Sequence, residues 1–383
     1  MAQGKTSVTT LARTWYLRLE QPISSISLIG GFVFDAFTLR RVNLAWDSFW
    51  VIAHLAVVTV SMVWVNLLDT SAPSVKPPKL ADPSQLQFWL VNVMQFFFGG
   101  LLSAYLVVYF RSSTIITSWP FLLILAVALV ANQTLKRRLT RLSFQIALLF
   151  LTFYAFAIYL MPMLLGRIGA EVFLISGVVS VAAIVLVLTI LAAFSPERFQ
   201  GRARWAVLGS VAGILAVMNF LYFLGLIPPL PLSLKQAGVY HSLAVRGPGQ
   251  YTVTTESSRT RRLTSMSFLK RFFSLSQRVY LKAGDSLVVY TAVYCPTRLH
   301  AKIIHEWQYY DPTRQAWITR ARVSLSVVGG GPTGYRTFSE VTVTTPGPWR
   351  VDVETPRGQV IGRVNFDVIF QNRQPPLTTK NIG

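Results

Sequence analysis

Charge is what this chain has least of. Only 13% of its 383 residues are Asp, Glu, Lys or Arg, while 52% are hydrophobic; an ordinary soluble domain is charged at about a quarter of its positions. The deficit excludes a wholly water-exposed globule and points to segments whose solvent is a bilayer. Acid is scarcer than base, with 15 Asp and Glu against 36 Lys and Arg. Catalysis by paired carboxylates therefore has few groups to draw on, and the chain is read as non-enzymatic. Cys295 is the single cysteine, so no intramolecular disulfide can form and the thiol is taken as a small buried hydrophobe. No phosphate loop is present, because "GGGPTG" lacks the lysine and hydroxyl of a Walker loop, and neither a nucleophile elbow nor a His-Glu-x-x-His pair occurs. Cys295, His300 and His305 stand five apart, which puts successive members on opposite faces of a strand and argues against a metal site. No cofactor is expected.

What the chain does have is long apolar runs. Crossing a ~30 Å hydrocarbon core takes about 20 apolar residues. Ser48–Leu68, Phe88–Phe110, Ile115–Ala131, Leu142–Leu165, Val172–Phe194 and Ala203–Leu226 qualify, and a shorter run, Ile23–Leu39, either spans or is re-entrant. The fold class expected is thus a membrane helical bundle of about seven helices, or six plus a re-entrant segment, followed by an all-β antiparallel sandwich. With seven spans, one side holds three basic residues of the N-terminus, two of the Asp69–Gln87 loop, four of "LKRRLTR" and three of "SPERFQGRAR". The other holds Arg40, Arg41, Arg111 and Arg167. Basic loops stay cytoplasmic, so the N-terminus is read as inside and the tail as outside. Met1–Gln21 carries Lys5, Arg13 and Arg18 without a small-x-small cleavage pattern and is expected to be retained.

Consecutive prolines in "LIPPLPLSL" end the last helix. From Gly238 to Phe370, alternating Val, Tyr, Thr and Phe broken by Gly and Pro turns give the pattern of short antiparallel strands. The resulting division is a cytoplasmic tail 1–22, a transmembrane domain 23–227, a proline-rich linker 228–237, a periplasmic β-sandwich 238–371 and a disordered end 372–383. The stretch "SSRTRRLTSMSFLKRFFSLSQR" alternates poorly and reads as a basic surface helix or long loop, with Phe268, Phe272 and Phe273 placed to pack or to touch headgroups.

"GGFVFDAFTLRR" before the spans, then "HEWQYY", "GYRTFSEV" and "PGPWRVDVETPRGQVIGRVNF", resembles bacterial multi-pass membrane proteins that end in an uncharacterised β-domain. That family carries a His-x-Trp strand, an Arg-Thr-x-Ser strand and a Pro-Gly-x-Trp-Arg-Val hairpin. Here the matching positions are His305 and Trp307, then Arg336, Thr337 and Ser339, then Pro346, Gly347, Trp349, Arg350 and Val351. "VVGGGPTGYRT" departs from the pattern, with extra glycine and a proline where an arginine follows the paired glycines. The resemblance implies architecture and brings no activity.

Two candidate sites follow. Side chains alternate along a strand, so Trp349, Val351 and Val353 share one face and Arg350, Asp352 and Glu354 the other, while Trp307 lies with His305 and Tyr309. The tryptophans either fill the sandwich core or, with Arg336 and Arg350, form a ligand or partner surface. In the spans, Asp35 and His54 either form a proton or ion site or are an interfacial acid paired with Arg40 or Arg41 and a histidine bonded to a neighbouring helix. From Lys235 onward the tail holds 20 Lys and Arg against 8 Asp and Glu, a charge that attracts anions of any kind. The function expected is an envelope protein of a bacterial inner membrane whose periplasmic domain binds acidic glycan, lipid headgroups or a protein partner. Nucleic acid drops out as a partner with that orientation. A transporter or channel using Asp35, His54 and Asn92, Gln95 or Asn219, and a structural subunit of a membrane complex, are the alternatives.

Overall fold

In the computed structural model the apolar runs become continuous helices. Residues 44–70, 83–112, 115–135, 139, 141–247, 249–256, 276–296, 299–329, 334–372 and 376–382 are described. The N-terminal tail, the run Ile23–Leu39 with Asp35, and most of the basic aromatic stretch lie outside them. The helices are α1 Leu44–Thr70, α2 Pro83–Arg111, α3 Ile115–Thr134, α4 Leu142–Leu165, α5 Ala170–Phe194 and α6 Gly201–Phe223. Six helices among the described residues are thus long and apolar enough to cross a membrane.

The chain divides into two compact units, one bounded by Met1–Val108, Leu123–Phe156 and Val178–Ala216, the other by Tyr109–Leu122, Ala157–Gly177 and Val217–Gly383. In the first, polar side chains join the helices. Asn66 donates to the Gln145 side-chain oxygen at 2.7 Å. Gln95 donates to the carbonyl of Asn132 at 3.2 Å and Asn132 returns a bond to the carbonyl of Gln95 at 2.9 Å. Such amides crosslink helices where water is absent. Gly99 permits the crossing, since a Cβ there would lie 3.3 Å from the Gln133 amide nitrogen.

The second unit holds eleven strands in three sheets. They are β1 Ser233–Tyr240, β2 Ser242–Gly247, β3 Gln250–Glu256, β4 Gln277–Leu281, β5 Ser286–Tyr294, β6 His300–Asp311, β7 Ala316–Val328, β8 Tyr335–Thr342, β9 Gly347–Glu354, β10 Val360–Phe370 and β11 Leu377–Ile382. The sheets run β1-β5-β8, β4-β10-β9-β6-β7 and β11-β3-β2. Leu287, Val289, Trp307, Trp349, Val351 and Phe366 form one buried cluster between the first two. On the opposite face of β5, Tyr290 and Ala292 pack with Val253 and Ile382 of the third. That double covering explains why "SLVVYTAVY" is apolar nearly throughout.

Three expectations need correction. The five-stranded sheet is mixed, because β4 pairs parallel with β10; the two strands are far apart in sequence, so no hairpin fixes their direction. The end expected to be disordered forms β11, paired antiparallel with β3 from Leu377↔Glu256 to Ile382↔Tyr251; its Thr-Thr-x-x-Ile pattern suits an edge strand, with Ile382 buried. The linker is shorter than expected, since β1 begins at Ser233.

At Gly362, beside a bulge in β10, the Leu234 side chain occupies the space a Cβ would need. Gly362→Ala is therefore expected to cost about 1–3 kcal/mol through overpacking. Gly247→Ala, where no atom lies within 4 Å, is expected to stay within about 0.5 kcal/mol. Thermal unfolding of the two purified variants compares them.

Candidate functional site

The residues that carried the resemblance come together inside the domain. Trp307 is 0% exposed and Trp349 1%, which corrects the surface reading for both. Their face of the five-stranded sheet looks onto β5 and β8, and that gap is filled by large side chains. Trp307 Nε1 donates to Ser339 Oγ at 2.9 Å. His305 Nδ1 meets the same hydroxyl at 2.8 Å, and its Nε2 lies 3.0 Å from Thr291 Oγ1. Thr291 and Thr337 hydroxyls are 2.9 Å apart.

A proton order follows from this geometry. The indole can only donate, so Ser339 accepts from it and gives its own proton to His305 Nδ1. Nε2–H then donates to Thr291 and Thr291 to Thr337. The one donor left over belongs to Thr337, near the rim. The reverse order would strand the Ser339 proton in the core. Burial holds the His305 imidazole down at about 4. The set pins two sheets together and has no access for a substrate.

Arg336 and Arg350 are likewise committed. Arg336 donates to the carbonyl of Gly249 at 2.6 Å, fastening the β2–β3 turn. Arg350 Nε donates to Gln308 Oε1 and stands 3.9 Å from Asp352; burial, then neighbouring Arg363, lowers its pKa. On the same outer face Arg363 grips both Asp352 oxygens at 2.5 and 2.7 Å. Arg322 lies 2.8 Å from Glu354 and 3.8 Å from Glu306. Burial, then Glu306, raises the Glu354 pKa. Three arginines thus meet three carboxylates, and this part of the face is close to neutral.

The exposed aromatic on that face is Trp317, not either tryptophan first considered. It is 36% exposed, pairs across the hairpin with Tyr310 at a ring distance of 5.3 Å, and lies 4.3 Å from the Arg350 guanidinium carbon. Folding "QYYDPTRQAWI" about its Asp-Pro-Thr-Arg turn would have set the two rings opposite each other, and that signal was available in the sequence. Arg320 stacks near Tyr309 at 5.6 Å, and Arg314 is a further cation at the turn, 3.9 Å from Asp311.

The hairpin between β9 and β10 closes onto the end of the last helix. Thr355 N–H donates to the Gln359 carbonyl and Gly358 N–H to the Thr355 carbonyl, both at 2.9 Å. Gln359 Nε2 then donates to the carbonyl of Ile227 at 3.2 Å. Gly358 and Gly225 have φ of 81° and 72°, conformations that side chains oppose.

In α1, His54 Nδ1 lies 2.8 Å from the Trp50 carbonyl of its own helix, and its ring packs edge-on to Phe97 at 4.9 Å. It therefore bonds within α1 and not to a neighbouring helix; its proposed companion Asp35 lies outside the described residues. Asn92 is bonded to the Phe88 carbonyl. Cys295 donates to the Leu299 carbonyl at 3.2 Å, and burial pushes its thiol up to about 11.

Residues 300–368 match a family described as Protein of unknown function (DUF2914). This stretch contains the His-x-Trp, Arg-Thr-x-Ser and Trp-Arg-Val strands. No curated protein matches the chain. Among solved structures, the chain is similar to Pseudomonas fluorescens alkylpurine DNA glycosylase AlkC bound to DNA containing an abasic site analog. Identity is 10% and TM-score 0.22, over 76% of this chain and 83% of that one, a likeness too weak to establish a shared fold.

Between its folded value near 4 and the unfolded value near 6.5, His305 takes a proton only in the unfolded chain. Stability is therefore intact above about pH 6.5, falls as pH drops through that window, and has lost roughly 3 kcal/mol by about pH 4. Urea unfolding across pH should show this slope, and His305→Gln should remove it. Ser339→Ala strands the Trp307 and His305 groups at about 1–3 kcal/mol each and should leave the slope in place.

Proposed function

We propose that the chain is a non-enzymatic multi-pass protein of a bacterial inner membrane, with its N-terminus cytoplasmic and its β-region a periplasmic sandwich that binds acidic glycan. The observation that carries this reading is the exposed Trp317 and Tyr310 pair on the outer sheet face, bordered by Arg350, Gln308, Arg320 and Arg314. A sugar ring stacks on an aromatic face by burying its C–H side, and planar guanidinium groups accept the carboxylates that an acidic glycan adds. The excess of base over acid in the tail supports an anionic partner.

Orientation is supported by chain order. Three helices, α4 to α6, separate the basic Lys136–Arg141 cluster from the tail, and an odd number of crossings puts them on opposite sides. The cluster belongs with the cytoplasm. A periplasmic phosphatase reporter fused after Gly383 is expected to be active, and a cytosolic reporter at the same point silent; the opposite pattern would remove the periplasmic assignment.

Binding is measured with the full chain in neutral detergent, against polygalacturonate with uncharged dextran as control. Trp317→Ala is expected to weaken binding roughly tenfold, the size of an aromatic anchor, and affinity should fall as salt rises. Affinity that ignores both Trp317→Ala and salt would sink the reading.

A further inference from the structure

The second unit contains an apolar crevice that the glycan reading does not use. It is lined by Ile158 and Pro162 of α4, Val172 and Phe173 of α5, Tyr222 of α6, and the Ile227–Leu230 segment. Phe173 stacks on Tyr222 with ring centroids 3.8 Å apart and planes 9° apart, which makes a flat apolar wall. The polar groups in its lining are already spent. Gln359 donates to Ile227 and Ser176 to the carbonyls of Val172 and Ala157, so the interior offers nothing to a polar ligand.

At the rim the chemistry changes. Arg357, at the tip of the β9–β10 hairpin and exposed, interacts electrostatically with the Tyr222 hydroxyl. Among the described residues no carboxylate pairs with it, in contrast to Arg322, Arg350 and Arg363 on the sheet face. Arg167, in the loop between α4 and α5, pairs with Glu171 at 3.4 Å. On the same helix ends Leu164, Leu165, Phe223 and Leu224 are exposed. A single cation therefore stands above an apolar crevice whose neighbouring surface is apolar too.

We propose that this site holds one anionic glycerophospholipid, its phosphate on Arg357 and the Tyr222 hydroxyl and an acyl chain against Pro162, Val172 and Phe173. The occupant follows from the combination: a guanidinium selects phosphate, and the apolar wall next to helices of spanning length selects hydrocarbon. The inference rests on the reading that α4 to α6 cross a membrane, and it is independent of the glycan surface.

The test uses the full chain in phosphatidylcholine nanodiscs doped with phosphatidylglycerol, with lipids retained on gentle release counted by native mass spectrometry. One phosphatidylglycerol should stay with the protein, and Arg357→Ala should weaken its retention roughly tenfold, as loss of a charge-assisted pair predicts. Val172→Trp, which fills the crevice while keeping the cation, should also expel it. Arg167→Ala and Trp317→Ala should not. Equal retention of phosphatidylcholine, or retention unchanged in Arg357→Ala, overturns the site. A protein that fails to enter the discs overturns instead the spanning reading beneath it.

Discussion

The β-region depends on one constraint: two sheets must share a core while leaving no buried donor unpaired. Ser339 on β8 meets it by taking the indole N–H of Trp307 and joining His305, both from β6, while Thr291 on β5 takes the other side of the imidazole. A slip of one residue on β8 would bring Phe338 or Glu340 to this point. The network therefore fixes how β5, β6 and β8 register against each other. Apolar packing alone tolerates slippage; a directional chain of hydrogen bonds does not.

Once that face is fixed, the opposite one must carry the charge. Across four neighbouring strands the row reads Arg322, Glu306, Asp352, Arg363. The two acids in the middle would repel, and the arginines outside them supply the compensation. Arg350 falls in the next row, between Gln308 and Asn365, where its guanidinium covers Trp317. The arginines that looked like a binding surface are thus mostly occupied in holding the sheet face together. Five of the tail's cations, Arg259, Arg261, Arg262, Lys270 and Arg271, lie outside the described residues.

Much of this was legible in the sequence, for identifiable reasons. Helices from Ser48 onward follow from length and apolarity, which a bilayer demands without help from tertiary contacts. The face assignments of Trp349 against Arg350 and of His305 with Trp307 followed from alternation alone. Which face is inside did not, because period two marks two faces without saying what covers them. The parallel β4–β10 pair was illegible for the same reason, since partners distant in sequence leave no local mark. β11 was hidden by "QNRQPPL", whose prolines suggest a break; they precede the strand and do not enter it. Trp317 was overlooked because it is not in a motif that resembled anything, although its hairpin partner stands only seven residues away.

The join between helix and sheet gives these parts a common purpose. Ten residues separate Phe223 from Ser233, and Pro228, Pro229 and Pro231 stiffen them. The Thr355–Gln359 turn then clasps the same segment through Ile227, so a β-hairpin far along the chain ends against the exit of the last helix. A flexible tether would let a domain sample all orientations above a membrane. A short proline-bearing segment held at both ends instead gives the sheets a set direction relative to the helix ends of the same unit. On the proposed topology, a ligand on the outer face would be held at a set height above the lipid surface, and a phosphate on Arg357 would tie that height to the headgroup layer itself.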